Sequence, residues 1–360
     1  MTRIYLIRHA EAEGNLYRIA QGQYDSALTD RGWRQVRALE RRFADVHIDA
    51  VYSSDLYRTC ATASALYLPK NLPLRRRRDL REIHVGAWEQ RTWGDIIRTD
   101  AEQMKNFGQR PDLWQVEGAE RPQAVLDRAM AALRDIAGEN RGRTVAVFSH
   151  GYVIRLTLAA LQGFSIQQLA QTPVGDNTAV SLLEVDEAGA LRVVFRDDNS
   201  HLQAPEFLAG EKVRRRANGL EPGLYFEPLR LPEQEELLHA LSGELAAPAG
   251  PALVGFLQGE PVGLVAFGDL EDRAGRIALA FVREDFRRRG FGVQLIGQAV
   301  QHWRPLGAEA LRLTLPAGSA ARQFFLDYGF QPSGESPAAG ETLEKSIAYD
   351  PAFLFQDSTQ

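Results

Sequence analysis

The chain predicts an α/β fold in two units, and three observations carry that prediction. From residue 1 to about 202, apolar runs of strand length alternate with amphipathic helical stretches. Between Gln203 and Gly223 this pattern lapses into charged residues, glycine and proline. A second, shorter alternating series then begins at Leu224. The length agrees, since 360 residues is long for one domain when domains run to roughly 100–200 residues.

In the front unit the expected strands are Arg3–Ile7, Ala50–Tyr52, Thr144–Phe148, Ala179–Val185 and Leu191–Asp197. The expected helices are Asp30–Phe43, opened by Thr29, and Leu56–Leu66, capped by Ser54 or Asp55, followed by Pro122–Ala137 and Tyr152–Leu161. Residues 90–121 are polar with weak periodicity and carry Trp93, Phe107 and Trp114. They read as an excursion over the sheet, with the tryptophans, Trp88 included, as packing residues.

In the back unit Leu224–Leu229 reads as a strand, placed at an edge by Pro228. A helix over Pro232–Leu241 follows, then a hairpin of Leu253–Leu257 and Pro261–Phe267 around Gln258-Gly259-Glu260. Strand Arg276–Val282, a Gly-rich turn, helix Gly292–Trp303, strand Leu311–Leu315 and helix Ala320–Tyr328 complete it. The boundaries are 1–205, a linker over 206–223, 224–350, and a tail over 351–360.

Composition narrows the function classes. Hydrophobic content of 44% and charged content of 25% are those of an ordinary globular protein. A net charge of −5 argues against nucleic acid as the main partner, and Arg75–Arg78 reads as a solvated loop. The single Cys60 forms no intrachain disulfide and excludes a cysteine zinc cluster. Met1–Ile7 is too short for a signal core, and no apolar run approaches the roughly 18–20 residues of a membrane span. The expectation is a cytoplasmic protein with no membrane partner and an oligomeric state left open.

The chemistry concentrates at two strand ends. Ile4-Tyr5-Leu6-Ile7 runs into Arg8-His9-Ala10, and Val145-Ala146-Val147-Phe148 runs into Ser149-His150-Gly151. Ligands of open α/β sheets gather beyond the carboxyl ends of strands. A single histidine there is usually structural; two, each beginning a turn or helix, suggest imidazoles meeting at one sheet edge. Arg58 lies in the first turns of a helix just past a short strand, near the same edge. Phosphoryl transfer without a metal needs cationic side chains around the phosphate, and arginine's planar fork suits that task.

These residues resemble the histidine phosphatase superfamily, the phosphoglycerate mutase-like fold. The match runs through Arg8-His9-Ala10-Glu11 with Asn15, Gln21-Gly22, Leu28-Thr29 with Gly32 and Gln35, and Ser53-Ser54-Asp55-Leu56 with Arg58 and Thr62. It continues through Leu80-Arg81-Glu82 with Gly86 and Trp88-Glu89, Gly118-Ala119-Glu120, Ser149-His150-Gly151 and Asn199-Ser200-His201-Leu202. Ala10 stands where glycine is usual. The resemblance implies a three-layer α/β/α domain and a phosphohistidine on His9. It implies Arg8, Arg58 and His150 around the phosphate, Asn15 as a neutral donor, Glu82 as proton donor, and Gln21 and Gly22 as substrate contacts. Glu11, Asp55 and Glu89 are left as structural. No metal or cofactor is expected there. Gly86-Ala87-Trp88-Glu89 is similar to the phosphatase branch, so hydrolysis of a small phosphorylated metabolite is favoured over mutase-type phosphotransfer.

In the back unit Arg287-Arg288-Arg289-Gly290-Phe291-Gly292 follows a strand and opens a helix, resembling the acetyl-CoA loop of GNAT acetyltransferases. That implies a smaller α/β domain with a mixed sheet and an acetyl-CoA site at Val282, Arg287, Arg288, Arg289, Gly290 and Gly292. Phe325 stands where the family often has an acidic tyrosine, and Gly318 where asparagine is common. Two further readings stay open: an acetyltransferase or acetyl-CoA sensor with a pseudo-phosphatase front, and a non-catalytic binding protein.

Overall fold

In a computed structural model, the described residues are 1–208, 223–231, 233–242, 246–333 and 340–354. Most of the expected linker lies outside them. The front unit contains β1 (Thr2–Arg8), α1 (Glu13–Tyr17), α2 (Asp30–Arg42), β2 (Ala50–Ser54), α3 (Tyr57–Tyr67) and β3 (Leu74–Arg77). It continues with α4 (Trp93–Thr99), α5 (Ala101–Gln109), α6 (Pro122–Glu139), β4 (Thr144–Ser149), α7 (Gly151–Leu161), β5 (Val180–Val185), β6 (Leu191–Asp198) and α8 (Pro205–Leu208).

The front sheet has the order β3-β2-β4-β1-β5-β6. β3, β2, β4 and β1 run parallel; β5 pairs antiparallel to β1, and β6 antiparallel to β5. Period-two alternation in the strands explains the layers. Ile4, Leu6, Val145 and Val147 face α6 and α7 through Leu133, Ile136, Ile154 and Leu158. Ile7, Ala146 and Phe148 face α2 and α3 through Val36, Leu39, Cys60 and Ala61 on the opposite side. The result is the expected three-layer α/β/α domain.

The back unit contains β7 (Tyr225–Pro228), α9 (Glu235–Leu241), β8 (Ala252–Leu257), β9 (Glu260–Glu271), β10 (Ala274–Val282) and α10 (Phe291–Trp303). It ends with β11 (Ala310–Leu315), α11 (Arg322–Asp327), β12 (Gln331–Pro332) and β13 (Glu341–Ser346). Its mixed sheet has the order β12-β13-β11-β10-β9-β8-β7, so Pro228 does sit on an edge strand. Leu295, Ile296 and Val300 of α10 pack on one face, and Leu238 and Leu241 of α9 on the other.

Three local expectations need correction. Helix α3 is not capped by Ser54 or Asp55: it starts at Tyr57, whose amide donates to Asp25 Oδ1 at 2.8 Å. Asp55 is engaged instead by the Arg81 fork at 2.6 and 2.7 Å. The arginine run is not a solvated loop, because Leu74–Arg77 is edge strand β3, paired with β2. Arg75 reaches the Tyr52 hydroxyl at 2.6 Å and Arg77 the Asp79 carboxylate at 2.6 Å. Finally, residues 351–354 are more than tail. Phe353 is buried in the front core against Trp33 and Tyr57.

The excursion folds on its own aromatic nucleus, with Trp88, Trp93, Phe107, Trp114 and Tyr152 in mutual ring contact. Among the described residues no helix is long and apolar enough to cross a membrane.

Candidate active site

β1 and β4 are neighbours whose pairing persists to their last residues, Arg8 opposite Ser149. The next residue on each strand is a histidine, so the rings of His9 and His150 lie 5.3 Å apart, centroid to centroid. Both are buried. His9 Nδ1 lies 2.7 Å from the Ala10 carbonyl oxygen. A carbonyl only accepts, so in the neutral ring Nδ1 carries the proton and Nε2 the lone pair. Asn177 Nδ2 donates to the His9 carbonyl at 3.0 Å, and Thr62 Oγ1 accepts from the Ala10 amide at 2.9 Å. Ala10 is absent from the positive-φ residues and is fully buried, so its methyl group fits where glycine is usual.

Arg58 is wholly buried in the first turn of α3. Carbonyls of one loop hold its guanidinium: NH1 donates to Tyr24 at 2.9 Å and NH2 to Gly22 at 2.7 Å and Gln21 at 3.5 Å. Gln21 and Gly22 thus help to hold Arg58 in place. The Gln21 amide oxygen accepts from Ser26 Oγ, and a Cβ at Gly22 would sit 2.3 Å from Glu89 Oε1. Glu89 ties the loop down by accepting from the Gly22, Gln23 and Tyr24 amides. Asn15 Oδ1 accepts from the Ala12 amide at 3.0 Å. Arg8 donates through NH1 to the Gly175 carbonyl. A Cβ at position 151 would come within 3.0 Å of Arg8 Nε, so glycine there leaves the guanidinium its space.

Three buried polar atoms in this cluster have no hydrogen-bond partner: Arg8 Nε, Arg58 Nε and His150 Nδ1. Buried donors are rarely left unmade, because each costs about 1–3 kcal/mol, and more when charged. The two arginine Nε–H groups suit an anion, and His150 Nδ1 joins them in the tautomer that carries its proton there. Burial, then the Arg58 and Arg8 charges, push His9 well below its ordinary value near 6.5, keeping the ring neutral. Burial, then Arg58, do the same to His150, whose Nε2 meets Ser54 Oγ at 2.9 Å.

Glu82 accepts from the amides of Ile83, Tyr152 and Val153, the last two in the opening turn of α7. Those amides favour the carboxylate, yet burial outweighs them and raises Glu82 above its ordinary 4.5. A carboxyl that holds its proton longer than usual can deliver one. Asn177 carries no sequence signal, and Ser54 reads from sequence as a helix cap and motif residue, not as the partner of His150.

In the back unit, β10 and β11 pair only over Ala274–Arg276 with Ala310–Arg312; from Ile277 onward they part. The turn beyond β10 has left-handed backbone at Arg288 and at Gly290, where φ is 84° and nothing crowds the space of a Cβ. Arg287 Nε donates to the Val282 carbonyl at 3.0 Å, and Arg289 lies over the Phe286 and Phe291 rings. The Phe324 ring covers Gly292, where a Cβ would approach it to 2.9 Å. Phe325 is buried in the core against Phe330.

Beyond adjacent strands of the α/β sheet the fold thus gathers two buried imidazoles, the buried Arg58 guanidinium and the half-buried Arg8 guanidinium. The chain belongs to the histidine phosphatase superfamily (branch 1), whose family model matches residues 4–198. Residues 221–330 match the acetyltransferase (GNAT) family. Phosphoserine phosphatase 1 of Hydrogenobacter thermophilus is 28% identical over 52% of this chain and 88% of its own length. Phosphoglycerate mutase-like protein 4 of Arabidopsis thaliana is 30% identical over 57% of this chain and 89% of its own. The solved YhfR structure of Bacillus stearothermophilus superposes with a TM-score of 0.55 at 33% identity, covering 56% of this chain and all of that one. These three likenesses cover little more than half of the chain.

Proposed function

We propose that the front unit hydrolyses the phosphomonoester of a small metabolite, with no metal, through a phosphohistidine on His9. The observation that carries this reading is the set of buried, unpartnered polar atoms, Arg8 Nε, Arg58 Nε and His150 Nδ1, beside a neutral imidazole with its lone pair on Nε2. His9 Nε2 attacks phosphorus and the bond to the leaving oxygen breaks, while Glu82 gives that oxygen its proton. Water then attacks phosphorus, its proton passes to the Glu82 carboxylate, and the P–N bond breaks to free inorganic phosphate and restore His9. Arg8, Arg58 and His150 hold the equatorial oxygens throughout.

The relatives named for phosphoserine and phosphoglycerate make phosphorylated hydroxy and amino acids the first substrates to try. The test is metal-free hydrolysis across such compounds and p-nitrophenyl phosphate, with acid quench to trap the phosphoenzyme. His9→Ala is expected to lower the rate at least about 10³-fold and abolish the trapped species. Full activity in that variant would end the reading.

In the back unit, the parting of β10 from β11 and the left-handed turn before α10 support an acetyl-CoA site. Arg287, Arg288, Arg289 and the turn's amides would hold its phosphates, with Val282, Gly290 and Gly292 lining the approach. Buried Phe325 offers no proton to a departing thiolate, so we assign this unit to binding rather than transfer. Calorimetric titration with acetyl-CoA tests it, and absence of heat would leave the unit a scaffold.

A further inference from the structure

The loop that holds Arg58 is gripped from its other side by the back unit. Asp25, one residue beyond the Tyr24 carbonyl that accepts from Arg58, takes a hydrogen bond from Tyr349 through its own carbonyl at 2.9 Å. The Asp25 carboxylate meanwhile receives the Tyr57 amide, at the residue before Arg58. The Tyr57 ring packs 5.0 Å from the Tyr349 ring, and its hydroxyl accepts from the Asp350 amide at 3.2 Å. Arg304, just past the end of α10, sits 4.7 Å over the Tyr349 ring and is held to the Ile347 carbonyl at 2.8 Å. It also makes a two-pronged bond to Glu13 at 2.8 and 2.9 Å. Glu13 in turn accepts from the Ala27 amide, at the far end of the same loop. Residues 21–27 thus lie between the Arg58 guanidinium and the pair Arg304–Tyr349.

We propose that Tyr349 and Arg304 are positioning residues for the front site: they fix the 21–27 loop, and through its carbonyls the orientation of Arg58 toward the phosphate. The inference rests on the phosphatase reading above and extends it by making the back unit part of the phosphate pocket's support. Arg58 has carbonyl partners only on NH1 and NH2, so any slackening of the loop turns its free Nε away from the anion.

The test uses the full chain, with p-nitrophenyl phosphate as substrate and inorganic phosphate as competing ligand. Tyr349→Phe removes the hydroxyl that donates to the Asp25 carbonyl and accepts from Arg304 at 3.4 Å, and is expected to weaken phosphate inhibition and lower kcat/KM by roughly 3- to 10-fold. Arg304→Lys, which loses the fork but keeps the charge, should act in the same direction. In an Arg58→Ala background Tyr349→Phe should add nothing, because the group it positions is gone. Arg98→Ala, at a back-unit contact with Tyr225 and Glu227 away from the loop, should leave both quantities unchanged. Equal losses in Tyr349→Phe with and without Arg58, unaltered phosphate affinity, or an equal loss in Arg98→Ala would each overturn the proposal. Those outcomes leave the phosphatase reading standing so long as His9→Ala abolishes hydrolysis, whereas an active His9→Ala removes that reading itself.

Discussion

Each half of the molecule places a helix N-terminus beyond the end of a parallel strand pair, and the two pairs end differently. In the front, β1 and β4 stay in register to Arg8 and Ser149, so the histidines that follow are held side by side. In the back, β10 and β11 pair over three residues only and are unpaired beyond them. A pair held in register to its end fixes the groups that follow it, whereas a pair that parts leaves two strand edges unpaired. The residues agree with that division. The front junction buries unpartnered donors, whereas the back junction seats Arg287 and Arg289 over phenylalanine rings.

The largest expected difference comes from removing one cation at each junction. Arg58→Ala should reduce kcat/KM for phosphomonoesters about 10²- to 10³-fold, while Arg289→Ala leaves it within a factor of about two. Equal effects in steady-state assays would erase the contrast between the junctions.

Next is the protonation of the front pair. Glu82 must hold a proton, and burial raises its value, so the rate falls as pH climbs through a point above the ordinary 4.5. His9 must be unprotonated, and its value is depressed, so the acid limb falls below the ordinary 6.5. A pH–rate profile should therefore be bell-shaped, and Glu82→Gln should remove its alkaline limb. The Gln variant should also harm alkyl phosphates far more than p-nitrophenyl phosphate, whose leaving group departs without a proton.

A smaller effect sharpens the view of the back junction. Arg289→Glu should weaken acetyl-CoA binding about 10-fold by titration, with no change in phosphatase rate. The smallest is Phe325→Tyr. Restoring the phenol should confer no acetyl transfer, because the side chain points into the core. Burying the hydroxyl should cost about 1–3 kcal/mol, visible as a lower unfolding temperature.

Much of the front site was legible because its signals are local. An apolar run ending in Arg-His places the histidine at a strand end, and Thr29 does cap α2 by accepting from the Gly32 amide at 3.0 Å. What escaped depends on partners distant in sequence. The cap on α3 comes from Asp25, across a loop, which no reading of Ser54 and Asp55 could find. β3 escaped because four arginines carry no alternation, and the strand exists through its pairing with β2. Asn177, reaching back to the His9 carbonyl, and Phe353, buried in a domain expected to have ended far upstream, are of the same kind.

The lone cysteine gives the molecule a built-in reporter. Cys60 is fully enclosed within α3, two residues from Arg58; its sulfur donates to the Ser54 carbonyl and burial pushes the thiol up to about 11. Disulfide reagents and peroxide act on thiolates, so the native fold should stay silent toward them. Labelling becomes rapid only when that helix loosens, and its rate meters the opening of the segment that presents the guanidinium, with no dye or tag engineered in.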